Sequence, residues 1–127
     1  MIKKLKNITI ALCTTLILAA CSSEGPEVAA ENFQRALMSG NFSQAAKYAS
    51  KKTIVMLEQL ANIVSAEQAA EMEKEMQGVT LNVIGKEINE DKTAAAVILE
   101  VTGTDGDMDT SSLSLIKEDE SWKVDYK

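Results

Sequence analysis

An α+β domain, helices first and a four-stranded antiparallel sheet second, is what this sequence predicts, and three observations predict it. Apolar residues recur at helical spacing from Pro26 to Met76. Gly78 closes that half, and from Val79 onward apolar residues alternate with polar ones at period two. Three turn-forming stretches, "NEDK", "GTDGD" and "DES", divide the second half into four strands in hairpin order.

The first helix is "GPEVAAENFQRALMSGN". Pro26 suits the first helical position and Glu27 the first turn, where the helix dipole favours an anion. Ala29, Phe33 and Leu37 form the apolar stripe, broadened by Ala30 and Met38, and Gly40-Asn41 is the stop. "FSQAAKYAS" continues as a short helix with Ala45, Ala46 and Ala49 around Tyr48. "TIVMLEQLANIV" is the third, with two stripes side by side: Ile54, Leu57, Ala61 and Val64, and Met56, Leu60 and Ile63. So wide an arc implies contacts on more than one side. Ser65 and Gln68 have capping-box spacing, so "SAEQAAEMEKEMQ" either starts a fresh helix or continues the third with a bend. Met72 and Met76, one turn apart, seat this segment on its own core in preference to forming an adaptable binding rim.

In the sheet half, Val79, Leu81 and Val83 alternate with Thr80 and Asn82, and the pattern runs past Gly85 to Ile88. In "TAAAVILEVT", Ala95, Val97, Leu99 and Val101 fall on one face and Ala94, Ala96 and Ile98 on the other, as in a central strand. The small residues Ala94 and Ala96 either admit close packing by a helix or leave a shallow hollow. Leu113 and Leu115 share a face of "MDTSSLSLIKE", and in "WKVDYK" Trp122, Val124 and Tyr126 point together.

The N-terminus predicts where the chain lives. Lys3, Lys4 and Lys6 precede a mostly apolar run from Ile8 to Ala20, the pattern of a secretory signal peptide. That run is too short for a membrane-spanning helix, which needs about 20 residues. Leu18-Ala19-Ala20-Cys21 resembles the bacterial lipobox, whose cysteine thiol receives a diacylglycerol group as the signal is cut before it. Residues 1–20 are then the leader, 21–25 the lipidated cysteine and a short tether, and 26–127 one domain. A disulfide to Cys13 is excluded because Cys13 lies in the removed segment, and thiol redox chemistry goes with it. Two or more acyl chains, each buried methylene contributing about 0.8 kcal/mol, hold such a protein stably on a bilayer. The tether reaches about 15 Å, so the domain stays near the membrane outside the cytoplasm. Ser22, standing where Asp does not, resembles outer-membrane sorting on the periplasmic side in a host with two membranes.

The leader takes three of the 13 Lys and Arg and none of the 19 Asp and Glu, so the remainder carries −9. An acidic domain of this size is repelled by anionic head groups and by nucleic-acid phosphates, which disfavours both as partners of the folded part.

Two stretches carry a family resemblance. "ENFQRALMSGNFSQAAKYAS" and the closing "SLSLIKEDESWKVDY", behind a lipobox, resemble the bacterial lipoprotein domain of unknown function 4878 in the nuclear-transport-factor-2-like superfamily. The likeness runs from about Pro26 to Tyr126, with Ser121 where a turn glycine is common. It implies a cystatin-like cone, a curved sheet wrapped around helices that in some members encloses a pocket. It implies no activity.

The absence of histidine decides much of the chemistry. No imidazole is available as a base near neutral pH or as a zinc ligand, and no Ser-His-Asp or Cys-His system can form. A carboxylate with tyrosine is what remains, with Tyr48, Tyr126 and Asp125 as candidates, but Asp125 alternates away from Tyr126. "TDGDMD" opens like a calcium loop with Asp105, Asp107 and Asp109, yet Thr110 and Ile116 stand where Gly and Glu are needed, so a hairpin turn is the better reading. No catalytic residue, cofactor or metal is expected. The expectation is a lipid-anchored, non-enzymatic domain that holds a small apolar or amphipathic ligand on its sheet, with Ala94, Ala96, Ile98, Trp122 and Tyr126 as the candidate pocket or interface. The alternative is a module that dimerises or docks on an envelope protein through a sheet face.

Overall fold

The structure is a computed structural model that describes residues 24–126. The leader expected over residues 1–20, the lipidation site expected at Cys21, and Lys127 lie outside the described residues. Within them, α1 (Pro26–Met38) starts on Gly25 in extended conformation and buries Ala29, Ala30, Phe33 and Ala36. Its end is a Schellman-type closure in which the Asn41 N–H reaches back to the Ala36 carbonyl at 2.9 Å. Gly40 makes that possible with φ +75°, and a Cβ there would lie 2.9 Å from the Cα of Ala69. Both the left-handed turn and the close helix approach therefore require glycine.

A single turn, α2 (Phe42–Ala45), begins on Asn41, whose side chain accepts from the Gln44 N–H, and tightens into a 3₁₀ turn over Ala46–Tyr48. Next comes α3 (Lys51–Ile63), two residues earlier than the periodicity suggests, because Ser50 caps it and accepts from the Thr53 N–H. α4 (Ala66–Met76) is a fresh helix: Ser65 Oγ accepts from the Gln68 N–H at 3.1 Å, and Gln68 Oε1 accepts from the Ser65 N–H at 2.9 Å. Both halves of the capping box are formed, which settles the bend alternative. No described helix is long and apolar enough to cross a membrane.

The sheet has strands β1 (Thr80–Ile88), β2 (Ala94–Thr102), β3 (Met108–Glu118) and β4 (Ser121–Val124), antiparallel and in sequential order. β2 is central, as its two apolar faces predict. A bulge between Val83 and Gly85 inserts Ile84 and flips the alternation along β1, so that Lys86, opposite Val97, follows Val83 on the helix-facing side. Asp119 and Glu120, both at positive φ, form the two-residue turn between β3 and β4.

The core lies between α1 and one face of the sheet. Phe33, Leu57, Val97, Leu99, Leu115 and Val124 are fully buried there, each contributing about 1.5–3 kcal/mol by leaving water. The wide arc of α3 is seated in part: Thr53 and Leu57 are buried, and Ile54 of one stripe and Met56 and Leu60 of the other pack half-buried against the core. The far end of the arc is open, with Ile63 74% exposed.

Candidate functional site

Side-chain parity divides the five residues singled out by the sequence. Ala94, Ala96 and Ile98 stand opposite Ile116, Ser114 and Ser112 of β3, on the face turned away from the helices. Trp122 stands opposite Lys117 on the helix-facing side, where it is buried with the Lys117 ammonium 5.2 Å from its ring centroid. Tyr126 follows the end of β4, with its ring 6.0 Å from that of Phe33. The five therefore do not line one pocket, a correction with a simple cause: the register places Trp122 level with the inward parity of Leu113 and Leu115. The two-residue Asp119-Glu120 turn fixes that register, and it is the signal in the sequence that would have separated Trp122 from the alanines.

Each face has its own character. Phe33, Leu57, Leu99, Leu115 and Trp122 pack together on the helix-facing side, and an apolar hollow of about 320 Å³ lies at its margin beside Phe42, Ala46, Ile54 and Leu57. On the open face the alanines leave a shallow hollow of about 500 Å³ beside Glu87, Ile88 and Glu90. No helix covers them, and Ile98 is 41% exposed.

A buried polar cluster, unsuspected as such from the sequence, ties the chain end to α3. The Ser50 hydroxyl donates to Asp125 Oδ1 at 2.8 Å and lies 3.0 Å from the Thr53 hydroxyl. Thr53 Oγ1 accepts from the Tyr126 N–H at 2.8 Å, the Ser50 N–H donates to the Val124 carbonyl, and Lys52 Nζ stands 3.6 Å from Asp125 Oδ2. A serine beside a carboxylate invites a catalytic reading, but Ser50 is fully buried and no imidazole exists to take its proton. The cluster is a latch: Asp125 and the N-cap of α3, 75 residues apart, hold each other. Tyr48 lies elsewhere, half-buried across a cleft from α4. Among the described residues neither tyrosine hydroxyl is hydrogen-bonded to a carboxylate, so the carboxylate–tyrosine arrangement is not assembled.

In the β2–β3 turn Asp105 Oδ1 accepts from the Asp107 N–H, and Gly106 adopts φ +90°. The acids there serve turn geometry. Among the described residues, no three His, Cys, Asp or Glu side chains are grouped to hold a metal ion. Two carboxyls titrate below their ordinary range. Glu27 is lowered chiefly by a hydrogen bond from its own backbone N–H in the first turn of α1, then by Lys86, whose Nζ lies 3.1 Å from both carboxylate oxygens. Asp91 is lowered chiefly by the Thr93 hydroxyl in the β1–β2 turn.

One further cleft among the described residues was not legible in the sequence. It occupies about 560 Å³ between the C-terminal half of α1, α2 and α4. Asn32, Arg35, Gln44 and Tyr48 line one wall, with Ala66, Ala69, Ala70 and Glu73 on the other. Arg35 is the chain's single arginine, and three alanines on α4 were the available signals.

Among the described residues, four α-helices and a 3₁₀ turn against a four-stranded antiparallel sheet make an α+β domain similar to the nuclear-transport-factor-2-like (NTF2-like) fold. Residues 19–125 match the family described as "Domain of unknown function (DUF4878)", and the chain belongs to that family. Among solved structures it is similar to a Campylobacter jejuni protein provisionally named an NTF2-like transpeptidase, with a TM-score of 0.62 and 25% identity. That match covers 82% of this chain and 100% of the other. No curated protein matches it.

Proposed function

We propose that this protein is a membrane-tethered, non-catalytic module that acts by protein docking through the open face of its sheet, in the first instance with a second copy of itself. One observation carries this reading: Ala94, Ala96, Ile98, Ser112, Ser114 and Ile116 form an adjoining, uncharged set that no described element covers. The chain is acidic at −6, so two copies repel over most of their surfaces. This patch, bordered on the same face by Glu87 opposite Ala96 and by Glu100 beyond Ile98, is where they can meet, and a two-fold pairing would set each β2–β3 surface on its twin. The tether rests on the lipobox-like Leu18-Ala19-Ala20-Cys21. The apolar-ligand alternative has less support, because the alanine hollow on the open face is shallow and bordered by Glu87 and Glu90.

The name of the Campylobacter protein raises acyl transfer for this chain as well. Such chemistry needs an exposed nucleophile beside its base. The one Ser-x-x-Lys spacing here is Ser114 to Lys117, and it lies on β3, where positions three apart point to opposite faces. Ser114 pairs with Ala96 on the open face and Lys117 with Trp122 on the other. A docking role is the better fit.

Oxidative crosslinking of the full chain in its own membrane is the test. Ser112→Cys, at the centre of the face, should yield a disulfide-linked dimer, Asp91→Cys in a distant turn should not, and adding Ile98→Lys to Ser112→Cys should abolish the dimer. Equal crosslinking at positions 112 and 91, or none at 112, would overturn the self-docking reading.

A further inference from the structure

The α1–α4 cleft sets a wall of small residues against a wall of polar ones. Gly40 lets α4 approach so closely that the cleft is walled on one side by backbone and by Ala66, Ala69 and Ala70. The other wall presents two amides, Asn32 and Gln44, the Tyr48 phenol and the Arg35 guanidinium, while Glu73 projects from the α4 side. Among the described residues, the side chains of Asn32, Gln44, Tyr48 and Glu73 make no hydrogen bonds to the protein, so their donors and acceptors are available to a guest. Arg35 uses only Nη2, 3.0 Å from Glu31, in an exposed pair one helical turn apart. Such a pair is worth about 0–1 kcal/mol, and the remaining N–H groups of the fork are unspent.

We propose that this cleft binds a short peptide with free ends. The chemistry is complementary group by group. Arg35 matches a C-terminal carboxylate through the unused part of its fork. Glu73 matches the N-terminal ammonium. Asn32 and Gln44 each offer a donor and an acceptor, which a peptide bond requires, and the alanine wall accommodates small side chains. A purely anionic ligand would meet Glu31 and Glu73, and an apolar one would strand the amides and the phenol. This site is separate from the open face of the sheet and stands or falls independently of it.

The test is a titration of the full chain, isotope-labelled and held in detergent, followed by amide chemical shifts. L-alanyl-L-alanine is the probe, with the N-acetylated, C-amidated dipeptide as the blocked control. The expected result is saturable shifts centred on Arg35, Gln44, Tyr48, Ala69 and Ala70, with the blocked peptide weaker by about tenfold or more. Arg35→Gln and Glu73→Gln, both surface changes that remove a charge, should each weaken the free dipeptide by about tenfold and leave the blocked one unchanged. Absence of saturable shifts at about 10 mM dipeptide, equal binding of the two peptides, or shifts centred elsewhere would overturn the proposal.

Discussion

The two faces of one strand, β2, behave as two different materials. Ala95, Val97 and Leu99 meet α1 and the inward residues of β3 and are removed from water. Ala94, Ala96 and Ile98, interleaved with them, meet only their strand neighbours and are covered by no helix of the described domain. The residue types barely differ, so hydrophobicity alone does not tell a core from a candidate interface. What differs is coverage: one face owes stability to its neighbours, and the other is apolar without an internal partner. An apolar face left uncovered beside one fully packed marks the place to look for an external surface.

Mutations at adjacent positions should show that contrast at its largest. Phe33→Ala and Leu99→Ala remove fully buried side chains and should destabilise by about 3–5 and 2–5 kcal/mol, read by thermal or urea unfolding. Ile98→Ala, one residue from Leu99, should change stability of the isolated chain by no more than about 0.5 kcal/mol. If Ile98→Ala proved as costly as Leu99→Ala, the open face would be part of the core and the docking reading would lose its basis.

This contrast was half-visible in the sequence. Period-two alternation gave β2 its two faces and its central place, because an isolated strand carries that information in its own residues. The helices from Pro26, the stop at Gly40 and the cap at Ser65 were equally local. The candidate site was less legible, because it depended on joining strands. Ala94 and Trp122 are both suited to a pocket, and only the pairing of Lys117 with Trp122 shows that they point apart. The latch was harder still: Ser50 and Asp125 carry no shared pattern, and their contact exists only once the sheet has returned the chain end to α3. Ile63, at the open end of the α3 arc, misled for the opposite reason, since periodicity reports which residues could be buried and not whether anything arrives to bury them.

A medium effect should come from that latch, which sharpens the comparison by testing polar closure against apolar packing. Asp125→Ala removes the acceptor of the buried Ser50 hydroxyl and should cost about 1–3 kcal/mol. Ser50→Ala removes the cap of α3 together with the Asp125 contact and should cost a similar amount, about 0.5–2 kcal/mol from the cap alone. Because the two act through one contact, the double mutant should cost less than the sum, and strict additivity would show that the hydroxyl and carboxylate do not cooperate.

The smallest effect lies at the edge of the helix-facing side, where packing gives way to charge. After the bulge, β1 places Lys86 on that side, and its ammonium reaches Glu27 at the start of α1. The Glu27 carboxyl is held below its ordinary range, first by its own backbone N–H and second by Lys86. A carboxylate lowered in the folded state stabilises the protein above its unfolded-state pKa, and that contribution disappears as pH falls through the lowered folded value. Unfolding measured across the acid range should therefore show less loss in Glu27→Gln than in the parent chain. Both partners are substantially exposed, so the effect should stay within about 1 kcal/mol and shrink in high salt. Lys86→Ala should remove only part of the pH dependence, because the larger cause, the N–H at the helix start, survives the substitution. If Lys86→Ala flattened the profile as fully as Glu27→Gln, the ion pair would outrank the helix terminus, and the charged edge would tie strand to helix as the buried centre does.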